Sequence, residues 1–352
     1  DILSAMGTPP DVLAPAVSYM QIYLLSLPLG FGMFLVRSML QGIGDSKTPL
    51  YFQGGALVLA AVLDPILMFG WLGAPAMGLN GTAWATVIAH ALGLWALVAA
   101  LRRRKNPVAP RLARGGFDWR TTLTTIRIGV PAAVQQSIIS LGMVFVVSIV
   151  NTYGDTAVAA FGMAMRVDQL AFMPAMTLSM AVSTLAGQNI GAGHFHRIRE
   201  IFKWGCILSG GITLAISVVV VIMPRVLLRI FTPDLAVIDM GEHYLITVGS
   251  CYIFFAVMFV SNGIINGAGH TLVTTIFSLV SLWVVRVPMA WWLSERMGSI
   301  QGVWYAMSAS FAVSMLVSLG YYATGRWRRP VLKRRPMPVT PESVFGEETG
   351  EM

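Results

Sequence analysis

The chain has 352 residues, of which 56% are hydrophobic and only 11% charged, well under the roughly 25% charged of a soluble domain. A mean hydropathy of +0.71 over this length excludes a soluble protein with one buried core. The formal net charge of +8 invites a nucleic-acid reading, which the placement of the charges then excludes.

Taken in chain order, apolar runs fall at about 17–40, 50–72, 81–101, 128–153, 157–186, 204–226, 243–265, 274–293 and 301–324. Each is about 20 residues or longer, enough to cross a hydrocarbon layer of about 30 Å. They predict an all-α polytopic membrane protein of about nine transmembrane helices. Gly and Pro interrupt several runs, which membrane helices tolerate when neighbouring groups re-satisfy the backbone.

The first run and the seventh repeat one another. Tyr19 precedes a run that ends in Gln41-Gly42-Ile43-Gly44-Asp45, and Tyr244 precedes one that ends in Asn266-Gly267-Ala268-Gly269-His270. The offset is 225 residues for Val12 and Val237, Tyr19 and Tyr244, Gly42 and Gly267, and Gly44 and Gly269. After each comes a segment with an internal proline (Pro65, Pro288), then a Gly-rich loop and another apolar run. Two related helix bundles with a substrate path between them are the usual architecture of a secondary transporter. The Gly pairs are expected to end helices at tight turns, and Gly187 to Gly193 to do the same.

If the nine segments alternate across the membrane, eighteen of the 24 basic residues collect on one side. They are Lys47, the cluster from Arg102 to Arg127, the group Arg197, Arg199 and Lys203, and the tail from Arg326 to Arg335. That bias follows the positive-inside rule and places these loops and the C-terminus in the cytoplasm. The charge is topological, so no nucleic-acid partner is expected. Two cysteines, Cys206 and Cys251, lie in apolar segments, where thiols act as small buried hydrophobes. They offer neither a disulfide framework nor a metal site. No Walker-type loop is present, and no cofactor is expected.

Leu40-Gln-Gly-Ile-Gly-Asp-Ser-Lys-Thr-Pro49, Leu63-Asp64-Pro65, Gly78-Leu-Asn-Gly-Thr82, Gly129-Val-Pro-Ala132 and Gly187-Gln-Asn-Ile-Gly-Ala-Gly193 occur in that order. Together they resemble the multidrug and toxic compound extrusion (MATE) family of bacterial transporters, over residues 1 to about 328. The resemblance implies helices four to twelve of a twelve-helix, two-lobe fold. The repeat alone points the same way, since the three segments between 117 and 226 have no upstream counterpart. The expectation is a chain lacking about three N-terminal helices. It would comprise a partial N-terminal lobe at 1–101, a basic cytoplasmic linker at 102–126, a six-helix C-terminal lobe at 127–328 and a disordered tail at 329–352.

Asp64 is the strongest functional candidate. It lies mid-segment, where a carboxylate costs about 2.5–3.5 kcal/mol on the insertion scale, and such residues face cavities and mark ion pathways. The resemblance ties this Asp-Pro position to a cation site of the N-terminal lobe, although Ala60 stands one turn earlier where many members carry Asn. Arg166 and Asp168 are two apart and point in different directions, so each is expected to contact another helix. Arg286, just before Pro288, is expected to hold helices together or reach a carboxylate. Gln135 and Gln136 stand where some family members carry an embedded Glu; helix packing or a hydrogen bond to substrate is open to them. Met173, Met176 and Met180 have helical spacing; a flexible Met surface suits varied ligands, but packing in the core is the expectation. Asp168, Gln135, Gln136, Arg286, Met173 and Met176 are the candidates for a substrate cleft.

The resemblance implies efflux of cationic or amphipathic small molecules against protons or sodium by a monomer in the bacterial inner membrane. A flippase for lipid-linked oligosaccharides is the alternative, but it needs a strongly cationic cleft, and only Arg37, Arg166 and Arg286 lie within segments. An inactive fragment is a further alternative. A membrane enzyme would need a nucleophile-base or metal constellation, and the sequence offers none.

Overall fold

A computed structural model describes residues 10–73, 75–106, 109 and 119–328. Regular structure among them is helical throughout. The chain divides into two compact units, Asp1–Phe117 and Asp118–Met352. The tail expected at 329–352 lies outside the described residues.

The first unit holds α1 (Pro10–Leu24), α2 (Ser26–Gly42), α3 (Lys47–Phe69) and α4 (Leu79–Arg103). Helix α4 is its axis, since α1, α2 and α3 all pack against it. Met33, Val36 and Leu40 of α2 meet Ala56 of α3 and Leu97 and Leu101 of α4 in one buried cluster. Near the other end of α4, the Asn80 amide donates to Ser18 Oγ at 3.0 Å, which fixes α1.

The second unit holds α5 (Trp119–Asn151), α6 (Asp155–Ala192), α7 (Phe195–Ile222), the short α8 (Pro224–Arg229), α9 (Leu235–Gly249) and α10 (Tyr252–Gly267). After them come α11 (Thr271–Leu279), α12 (Val287–Met297) and α13 (Gln301–Thr324). A π-helical stretch, Val280–Arg286, joins α11 to α12. It ends just before Pro288, whose missing N–H removes a rung of the helical ladder. Among the described residues, eight spans are long and apolar enough to cross a membrane, and a ninth follows if α9 and α10, bent by 48°, count as one.

Several helices outrun their apolar segments. Helix α4 continues to Arg103, α5 begins at Trp119 and α7 at Phe195, so parts of the expected basic linker at 102–126 are helical. An apolar run stops at its first charge, but a helix crosses the interface with its backbone bonds intact.

The internal repeat is structural as well as sequential. The break between α1 and α2 at Leu25 and the break at Ser250 stand 225 residues apart. Gly44 (φ +88°) and Gly269 (φ +86°) close their helices in the left-handed conformation open mainly to glycine. The Asp45 N–H donates to Leu40 C=O at 2.9 Å and His270 N–H to Ile265 C=O at 3.1 Å, the bonding of a Schellman cap. Both glycines of each pair serve the helix end: Gly42 and Gly267 are the last residues of α2 and α10, and Gly44 and Gly269 close the turns beyond them. Gly187, by contrast, lies inside α6, which ends at Ala192 with Gly193 (φ +81°) as its left-handed cap.

Gly267 has a second role. A Cβ there would lie 2.4 Å from the Ser183 carbonyl oxygen of α6, whereas one at Gly42 would meet nothing within 4 Å. Close backbone approach at small residues is how membrane helices pack. Gly267→Ala is therefore expected to destabilise the fold by about 1–3 kcal/mol through overpacking. Gly42→Ala should be neutral, or stabilise by up to about 1 kcal/mol through helix propensity. Thermal unfolding in detergent distinguishes the two.

Asp45 accepts a hydrogen bond from the Thr48 backbone N–H at 3.0 Å, and that bond holds its carboxyl below the usual carboxylate range. A lowered pKa stabilises the fold above the ordinary value of 3.8 and loses that contribution as pH falls toward the folded-state value. Acid unfolding of Asp45→Ala should lack this component, a small difference because the group is largely solvated.

Candidate functional site

Each unit carries a polar cluster at membrane depth, and the two differ in kind. In the first unit, α2, α3 and α4 line a cavity of about 500 Å³. Asp64 and Gln53 reach it from α3, Arg37 from α2, and Thr86 and His90 from α4. Arg37 Nη1 donates to Gln53 Oε1 at 2.9 Å, and Thr86 Oγ1 donates to the Thr82 carbonyl at 3.0 Å. By contrast, Asp64 Oδ1 and His90 Nδ1 are buried without a hydrogen-bond partner. A buried polar group left unsatisfied costs about 1–3 kcal/mol, and more when charged. A carboxylate oxygen beside a cavity can recover that cost by taking a cation or a proton. Ala60, one turn before Asp64, lines the same cavity and adds no ligand.

The second unit's cluster is closed and satisfied. Asp168 is completely buried on α6. Its Oδ2 accepts from the Tyr244 hydroxyl at 2.6 Å, and its Oδ1 accepts from the Tyr252 hydroxyl. Tyr244 packs edge-on against Phe161 and Trp304, and Phe172 packs edge-on against Tyr252. Arg286, at the end of the π-helical stretch, donates from Nε to Ser310 Oγ at 2.7 Å. Its guanidinium lies 4.7 Å from the Phe311 ring centroid, within cation–π range, and feels the charge of Asp168. The cluster can hold α6, α9, α10, the π-helical stretch and α13 in one arrangement.

The other candidates separate. Gln135 donates from Nε2 to Thr274 C=O at 3.2 Å and to Ser278 Oγ at 2.8 Å, bonding α5 to α11. Gln136 is exposed. Arg166 is also exposed, 6.0 Å from the Phe231 ring centroid, directed away from Asp168. Core packing of the methionines is corrected: Met173 is 64% exposed, and Met176 and Met180 are each 49% exposed. The buried face of α6 is instead the stripe of Ala164, Asp168, Ala171 and Ala175, whose small side chains admit neighbouring helices closely. No cluster of metal-binding side chains occurs among the described residues.

Sequence reasoning missed His90, Gln53 and Tyr252. His90 is a polar residue deep in an apolar run, the same signal that marks Asp64. Tyr244 was visible only as a member of the repeat.

Helices of this length and apolarity, with ionisable groups held inside them, define an all-α polytopic membrane protein. The MatE family profile matches residues 1–66 and 131–292. The chain is 33% identical over 326 residues to the probable multidrug resistance protein YoeA of Bacillus subtilis, covering 92% of this chain and 70% of YoeA. It is 32% identical over 329 residues to the probable multidrug resistance protein YpnP of the same organism, covering 93% and 72%. In fold it is similar to the bent form of the Vibrio cholerae MATE transporter VcmN, with a TM-score of 0.83 at 22% identity over 92% of this chain and 72% of that one. The chain belongs to the MatE family, and is accordingly a membrane transporter and not an enzyme.

Proposed function

We propose that this protein is a secondary multidrug efflux transporter that exports cationic or amphipathic compounds against protons or sodium. The observation that carries the reading is the unpartnered Asp64 oxygen beside the cavity among α2, α3 and α4. A carboxylate placed there changes charge when it takes up the coupling ion, and an intramembrane ionisable residue facing a cavity marks an ion pathway. Ion at Asp64 favours one lobe arrangement and the outgoing compound favours the other. Their competition couples the two flows, because a ligand shifts such an equilibrium only by its differential affinity for the two states. The names of YoeA and YpnP support the multidrug part of this reading.

The basic bias of the loops supports a bacterial inner-membrane orientation with a cytoplasmic C-terminus, and the protein is taken to act as a monomer. The test is ethidium efflux from proteoliposomes with proton and sodium gradients imposed separately. Efflux under one gradient names the ion. No efflux under either, from protein shown to be folded, would turn the assignment toward a lipid flippase.

A further inference from the structure

A second cavity, of about 370 Å³, lies in the second unit between α6 and α7. Its walls are two stripes at helical spacing: Leu178 and Leu185 on α6, and Trp204 and Leu208 on α7, leading to Arg197 and Glu200. Leu185, Trp204 and Leu208 are 47%, 58% and 53% exposed, so this is an open apolar groove on a helix pair. From Arg197 to Leu208 it spans eleven helical steps, roughly 16 Å at 1.5 Å per residue. That is about half of a hydrocarbon core roughly 30 Å thick, or one leaflet.

The charged end specifies more than a generic acyl chain. Arg197 and Glu200 are one turn apart on α7, both exposed, and neither is in an ion pair among the described residues. Opposite charges left unpaired at the mouth of a leaflet-deep apolar groove match a headgroup bearing both signs. Trp204 has the amphipathic ring that settles at headgroup level.

We propose that this groove binds a phosphatidylethanolamine-type phospholipid. One acyl chain lies along the leucine walls. The phosphate meets Arg197, and the headgroup ammonium meets Glu200. Basic pockets between transmembrane helices select anionic lipids; the carboxylate here shifts the choice toward a zwitterionic headgroup.

Native mass spectrometry of the purified protein, offered phosphatidylethanolamine and phosphatidylglycerol of matched chains in equal amounts, tests it. Phosphatidylethanolamine adducts are expected to dominate by about tenfold, the discrimination of one charged contact. Glu200→Gln is expected to erase the preference, and Arg197→Gln to weaken both lipids by about tenfold. Should either variant fail to fold, Leu208→Trp, which fills the groove from its apolar wall, is expected to displace the lipid by itself. Equal or stronger binding of phosphatidylglycerol, the absence of adducts, or a preference indifferent to Glu200→Gln would overturn the proposal.

Discussion

Asp64→Asn is expected to leave a folded protein that no longer performs ion-driven efflux. Asparagine keeps the size of the side chain and a carbonyl acceptor, so the packing of α3 against α4 is undisturbed. It cannot gain or lose a proton, and it presents no net charge to sodium. Ethidium efflux under an imposed gradient should fall at least about tenfold, the scale expected when a charge-changing residue of an ion pathway is neutralised. Because Asp64 Oδ1 is unpartnered, the variant should unfold at the same temperature as the parent or slightly higher. Undiminished efflux with ordinary ion dependence would remove Asp64 from the mechanism and leave the first unit's cavity without a role.

The second large effect is expected at Asp168, and there it falls on stability. Asp168→Ala removes the acceptor of two buried tyrosine hydroxyls. Each buried hydroxyl left without its partner costs about 1–3 kcal/mol. A fall of that size should appear as a much lower unfolding temperature in detergent. Tyr244→Phe and Tyr252→Phe should each cost about 1.5–3 kcal/mol, the range of a hydrogen bond to a charged group. The double variant should cost less than their sum, because both hydroxyls serve one carboxylate. Asp168→Asn, which keeps an acceptor, should be the mildest change. Unfolding of Asp168→Ala at the parental temperature would show that the cluster does not hold the second unit together.

The contrast between these carboxylates shows where sequence reasoning reaches and where it stops. Asp64 and Asp168 look alike in sequence, each an acid within an apolar helix. Their difference lies in what neighbouring helices present. Asp64 meets a cavity, whereas Asp168 meets two hydroxyls from residues 76 and 84 positions away. No local pattern encodes that pairing. The helices were legible because twenty-residue apolar runs can do little else in a membrane, and the repeat was legible because Gly44 and Gly269 need the same backbone conformation. Gly267 ends α10 as its sequence context suggests, but its second task, admitting the Ser183 carbonyl of α6, depends on a helix some eighty residues upstream and has no local signal. The methionines were misplaced for a related reason. Periodicity identifies a face of α6, but the smaller face of Ala164, Ala171 and Ala175 was the one that packed, since close helix contact in a membrane favours small side chains.

The central claim is competition between ion and exported compound at Asp64, and displacement measures it most directly. Purified protein in weakly buffered detergent would be titrated with ethidium while released protons are followed by pH and released sodium by radioisotope. The account predicts stoichiometric release of one of the two ions from the parent protein and none from Asp64→Asn. Ethidium binding that releases neither ion from the parent, or the same ion from both proteins, would contradict it.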